Sequence, residues 1–135
     1  MNKKFFILSL FCFATFILVG QKKPTNQKDL INFTELIHDY GTIEVGSPGK
    51  SEFKFTNNMK TPLVISNVKP SCGCTVADWP KEPILGGKSG VIRINYNTKI
   101  PGTFRKTITV NSNAKNARVI LQIKGNVIAL PKLQN

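Results

Sequence analysis

From Phe33 onward the chain alternates apolar and polar residues with a period of two, the pattern that turns one set of side chains to a buried sheet face and the other to water. Ser51-Glu52-Phe53-Lys54-Phe55-Thr56 shows it most clearly and predicts Phe53 and Phe55 inside. Gly90 to Tyr96 repeats it with Ile92, Ile94 and Tyr96 inward, and Lys106 to Val110 and Arg118 to Ile123 follow the same rule. A first strand is expected from about Phe33 to His38, continued by Tyr40-Gly41-Thr42-Ile43, and another from Leu63 to Val68 after a break at Asn57 to Pro62. Gly46-Ser47-Pro48-Gly49 reads as a turn, and a long connection after Val68 holds Cys72, Cys74, Trp79 and Pro80. No stretch has a helical period. Six or seven short strands with turn signals between them predict an all-β fold, an immunoglobulin-like β-sandwich of about seven antiparallel strands over residues 33–130.

The segment ahead of this pattern has a different logic. Lys3 and Lys4 precede an apolar run from Phe5 to Val19, broken only by Ser9 and Thr15, after which Gly20-Gln21-Lys22-Lys23-Pro24 turns polar. That is the layout of a secretory signal peptide, a helix over residues 1–20. The run is shorter than the roughly 20 residues of a membrane-spanning helix. Cleavage after Gly20 is therefore expected, leaving no membrane span. A retained anchor is the alternative, because Leu18 at the minus-three position is not small. Cys12 lies too early in the apolar run to be a lipidated cysteine. Residues 21–32 read as a polar tether. The protein is expected to be exported, to the periplasm or the cell surface.

Charge changes the picture less than it first suggests. The 135 residues carry 19 Lys and Arg against 7 Asp and Glu, a formal charge of +12. Losing Lys3 and Lys4 with the leader leaves 17 basic against 7 acidic residues, or +10. Only three of the basic residues are Arg (Arg93, Arg105, Arg118), and the lysines are scattered singly. Paired-donor arginines in a contiguous stripe are the usual footprint of nucleic-acid recognition, so no nucleic-acid partner is expected. Solvated lysines on strand faces are the simpler reading.

His38-Asp39-Tyr40-Gly41-Thr42-Ile43, Phe53-Lys54-Phe55-Thr56-Asn57, Pro62-Leu63-Val64-Ile65, Ser71-Cys72-Gly73-Cys74-Thr75, Gly87-Lys88-Ser89-Gly90 and Asn111-Ser112-Asn113 occur in that order. Together they resemble the bacterial domain of unknown function family 1573, abundant in envelope proteins of Bacteroidetes-type organisms. The resemblance covers about Phe33 to Val127. It implies an immunoglobulin-like fold related to Hydin-like and pilus-chaperone-like domains, whose characterised relatives bind other proteins, and it implies no reaction. Many members carry a lipidated cysteine at the end of the leader, and this sequence departs from that pattern.

The mature chain keeps two of the three cysteines, Cys72 and Cys74, separated by Gly73. On an extended strand residues i and i+2 point the same way but lie too far apart for a disulfide, so a turn is needed, which Gly73 permits through φ values other residues resist. Three readings stay open. The pair is a structural staple or two small semi-buried thiols, or an exported dithiol whose tight oxidised ring is readily reduced, or a Cu(I) site of two thiolates. No Lys or Arg stands beside the pair in sequence to favour a thiolate. His38 is the sole imidazole that could assist. No metal or other cofactor is expected, since zinc normally takes four ligands and the chain supplies too few.

Catalysis has little else to use. Neighbours on a strand face opposite ways, so Asp39 cannot orient His38 as a triad requires. Glu35, Asp39 and Glu44 read as surface charges, and Trp79 as packing over one end of the sandwich. The sequence thus points to an exported binding or adaptor module of the cell envelope, not an enzyme, whose partner is another envelope protein.

Overall fold

The computed structural model describes residues 28–131, in eight strands. These are β1 (Ile31–Phe33), β2 (Ile37–Glu44), β3 (Lys50–Asn57), β4 (Ile65–Pro70), β5 (Thr75–Asp78), β6 (Ser89–Tyr96), β7 (Gly102–Ser112) and β8 (Arg118–Ile128). The leader at 1–20 and most of the tether lie outside the described residues. Ile31 and Asn32, read from sequence as the end of the tether, are the first residues of β1.

Two four-stranded sheets pack face to face, one in the order β1-β3-β6-β5 and the other β2-β8-β7-β4. This is an immunoglobulin-like β-sandwich, with eight strands where about seven were expected. The neighbours pair antiparallel except β2 and β8, which run parallel. Alternation along a strand fixes which side chains face inward but not the direction of the neighbouring strand, so the parallel pair leaves no mark in the sequence.

The alternating residues fill the space between the sheets. Phe53, Phe55, Ile92 and Ile94 from one sheet meet Ile108, Val110, Leu121 and Ile123 from the other, all at most 2% exposed. Burying each such side chain contributes about 1.5–3 kcal/mol. Tyr96 stacks on Phe104 across the interface, ring centroids 3.9 Å apart. Tyr40 on β2 reaches over the same end, where its hydroxyl donates to the Gly49 carbonyl at 2.7 Å and shares a hydrogen bond with Ser51 Oγ at 2.9 Å.

The expected first strand, Phe33 to His38, divides at Thr34–Leu36, where the chain crosses from one sheet to the other. The connection said to hold the cysteines contains a further strand, β5, at the edge of its sheet. Pro70 lies within β4, on a sheet edge, where a missing N–H is tolerated. The chain changes sheet five times, and two of these crossings join edge strands, β1 to β2 on one side of the sandwich and β4 to β5 on the other. The Cys-Gly-Cys segment is the β4-to-β5 crossing.

Candidate functional site

Cys72 and Cys74 are joined in a disulfide with their Cα atoms 5.3 Å apart. The chain leaves β4 at Pro70, Ser71 donates its N–H to the Thr107 carbonyl of β7, and Thr75 starts β5 on the other sheet. The bridge therefore spans the corner where the chain passes between the layers. Asn97 donates to the Cys74 carbonyl at 2.8 Å, so Cys74 already runs beside the end of β6. Gly73 does not use the left-handed backbone expected of it, since the positive-φ glycines are 41, 46, 87 and 102. Apart from its two chain neighbours, no described residue comes within 4 Å of where its Cβ would stand. The glycine leaves the corner open instead of bending it.

Both cysteines are half-buried, and Thr75 beside them is 4% exposed. The Thr75 hydroxyl lies 3.7 Å from Cys72 Sγ and 3.9 Å from Cys74 Sγ. Thr75 belongs to the motif quoted above, yet nothing in the sequence gave it a role, because a buried threonine is ordinary in a strand.

A groove of about 410 Å³ opens beside the bridge. Gly73 and Cys74 line it, as do Lys50, Val76, Asn97 and Lys99; Cys72 does not. Among the described residues no carboxylate lines it. The absence of Lys or Arg next to the pair in sequence is thus corrected in space, where β3 and the loop after β6 bring two lysines to the same groove. Val76 projects from β5 with 65% of its surface exposed, and Trp79, packed against the core, carries Lys81 Nζ 2.8 Å from its ring centroid.

His38 is placed elsewhere. It lies on β2 at the far edge of the second sheet, three inter-strand spacings from β4, on the order of 14 Å. Its ring meets Tyr40 edge-on at 4.6 Å, and its Nδ1 stands 3.7 Å from Glu35 Oε1. Asp39 faces away from it, accepting from the Gly41 N–H at 2.8 Å and pairing with Lys124 at 3.4 Å. The Gly41 N–H, followed by Lys124, holds the Asp39 carboxyl below its usual pKa. His38 cannot assist the cysteines from there. Among the described residues no three His, Cys, Asp or Glu side chains converge as metal ligands.

Residues 31–127 match the family model described as "Protein of unknown function (DUF1573)". The chain belongs to this family. No curated protein matches the DUF1573 chain. Among solved structures it is similar to a protein of unknown function from Porphyromonas gingivalis W83, with a TM-score of 0.64 and 17% identity over 74% of this chain. The match spans 47% of that protein, about half its length. It is also similar to the seventh PapD-like domain of human CEP192, with a TM-score of 0.62, 12% identity and coverage of 81% of this chain and 94% of that one. The secreted serine protease VesC from Vibrio cholerae matches with a TM-score of 0.56 and 15% identity over 72% of this chain and 23% of its own. At these identities the likeness is one of fold.

Proposed function

We propose that this DUF1573 chain is an exported protein-binding module of the bacterial cell envelope, not an enzyme, and that it docks an extended acidic segment of another envelope protein along the open edge of β5. Export is supported by the charged-then-apolar leader pattern before Gly20. The observation that carries the docking reading is the contrast among the four sheet edges. Edge strands expose unpaired backbone groups, and proteins usually blunt them.

Three of the edges are blunted here. The Asn116 side chain bonds both the N–H and the C=O of Ile31 on β1, at 3.0 and 2.8 Å. A bulge between Asp39 and Thr42, with Gly41 at φ 64°, bends β2. On β4, register shifts between Ile65 and Asn67, and Pro70 removes a donor. The β5 edge is short and ends on the exposed Asp78, but among the described residues it has no bulge, proline or side-chain cap. Because Asn97 pairs with Cys74 through the Cys74 carbonyl, the alternation of an antiparallel ladder turns the N–H and C=O of Ala77 away from β6, toward open solvent.

Strand addition here would present alternate partner side chains to Val76 and to the groove that holds Lys50 and Lys99, with Lys81 near the other end. Lys50 and Lys99 select acidic residues at the Val76 end of the strand, where neither Asp78 nor Glu52 lines the groove. Selection from displayed random peptides tests the proposal. Peptides alternating apolar and acidic residues should be enriched, and should shift the backbone amide resonances of Thr75 to Asp78. Their affinity should fall with added salt and with Ala77→Pro, which deletes the outward donor at a position where an edge strand accepts proline. A footprint on β1, β2 or β4, or an Ala77→Pro variant that binds as before, would sink it.

A further inference from the structure

We propose that the Cys72–Cys74 bridge is a thiol–disulfide exchange site, in which Cys74 is the sulfur attacked from the groove and Cys72 is the sulfur that leaves, its charge received by the Thr75 hydroxyl. The proposal goes beyond the docking reading and stands independently of it.

Access distinguishes the two sulfurs. Cys74 lines the groove together with Gly73, and Cys72 does not. Exchange requires a thiolate to approach one sulfur from the side opposite the other, so attack from the groove falls on Cys74 and expels Cys72.

The second observation is the Thr75 hydroxyl. It is buried, and its hydrogen-bond partners are the two bridge sulfurs, with Cys72 the nearer at 3.7 Å. Buried hydroxyls ordinarily settle on an oxygen acceptor. A bridged sulfur is a weak acceptor, whereas a thiolate is a charged and strong one. The hydroxyl is therefore poorly served in the oxidised form and well served once Cys72 carries the electron pair. Lys50 and Lys99, in a groove that no carboxylate of the described residues lines, add a field that favours the thiolate form of an incoming thiol.

The electrons balance with one co-reactant, a dithiol. Its first thiolate forms a bond to Cys74 Sγ while the Cys72–Cys74 bond breaks, and the electron pair leaves on Cys72. The co-reactant's second thiolate then attacks its own sulfur in the mixed disulfide, releasing Cys74 as a thiolate. The co-reactant ends as a disulfide, oxidised by two electrons, and Cys72 and Cys74 end as thiols after taking up, through solvent, the two protons its thiols gave up.

The test uses the mature protein with dithiothreitol as the dithiol and cysteamine as a monothiol that halts at the mixed disulfide. Acid quenching and peptide mass analysis should place the cysteamine adduct on Cys74. Reduction by dithiothreitol should proceed with the circular dichroism unchanged. Thr75→Val should slow it roughly tenfold, the expected consequence of losing one hydrogen bond to a developing charge, and Thr75→Ser should restore it. An adduct on Cys72, a wild-type rate in Thr75→Val, or reduction that occurs only in denaturant would overturn the proposal. If Thr75→Val does not fold, the position of the adduct on the unaltered protein decides.

Discussion

The side-chain amide of Asn57 donates to the Ile84 carbonyl at 2.8 Å, joining the end of β3 to a loop 27 residues further along the chain. Asn57 is fully buried, yet each of its polar groups is used. The amide also reaches the Thr61 carbonyl at 2.9 Å, and Oδ1 accepts from the Met59 N–H at 2.8 Å. Its backbone bonds Lys88 and Gly87. One residue thus holds two loops together at the end of the sandwich, where Leu63 and Ile84 form an isolated bridge.

Asn57→Ala should therefore cost about 2–4 kcal/mol, because it strands the Met59 N–H, removes a donor from the Thr61 and Ile84 carbonyls, and leaves a void. Asn57→Asp should cost at least as much, since a carboxylate offers no donor to either carbonyl. Urea unfolding of both variants checks this; a loss below about 1 kcal/mol in each would show that water replaces these bonds.

Gly90 and Gly73 give a paired contrast. A Cβ at Gly90 would stand 2.5 Å from Phe55 Cζ, on a ring that is 1% exposed and has nowhere to go, so Gly90→Ala should lose about 1–3 kcal/mol by overpacking. At Gly73 the space is open and φ is not positive, so Gly73→Ala should stay within about 0.5 kcal/mol of wild type. Denaturation midpoints of the two variants measure the difference. Equal losses would mean that the Cys72–Cys74 turn constrains its glycine after all.

These positions also show where the sequence is readable. β3 and β6 announce themselves because Phe53, Phe55, Ile92, Ile94 and Tyr96 alternate strictly with polar neighbours, and all five are buried. β5 does not, because its arrangement inverts that rule: Val76 faces water while Thr75 and Ala77 face inward. The division between β1 and β2 lacks a Gly or Pro, since the chain merely changes sheets at Thr34 to Leu36. The cysteines were visible as a motif. Their electrostatic surroundings were not, because Lys50 and Lys99 lie more than twenty residues away in sequence and come to line the same groove as Cys74 through the pairing of β3, β6 and β5. Distance in the chain hides a groove assembled across strands.

Tyr40 links stability to alkaline pH. Burial pushes its phenol above the ordinary value of 10.0, against a smaller opposing effect of the Ser51 hydrogen bond. A raised folded-state pKa means that the folded protein holds the proton more tightly than the unfolded chain. The stabilisation is fully present below about pH 10 and is lost as pH rises further. Tyr40→Phe should cost about 1–2 kcal/mol at neutral pH, through the loss of its bonds to Gly49 and Ser51, and should flatten the alkaline decline. Tyr96, which burial shifts the same way, keeps part of the decline in the variant. Unfolding free energy measured from neutral pH to above pH 10 checks both effects, and a variant with the full wild-type slope would place the titration elsewhere.

The last prediction separates a staple from an exchange site. A disulfide stabilises largely by restricting the unfolded chain, and the benefit shrinks with the loop it closes. Cys72 and Cys74 are two residues apart, so the loop is near the smallest the chain can make, and its closure contributes about 1–2 kcal/mol. The corner has other support: Ser71 is bonded to Thr107 and Cys74 to Asn97 through the backbone, bonds that do not use the sulfurs. Reduction should therefore lower the urea midpoint only slightly and leave the β-sheet circular dichroism intact, as should the Cys72→Ser/Cys74→Ser double variant. A domain that unfolds on reduction could not cycle between dithiol and disulfide in its folded state. In that outcome the bridge is a structural staple, and the exchange proposal falls with it.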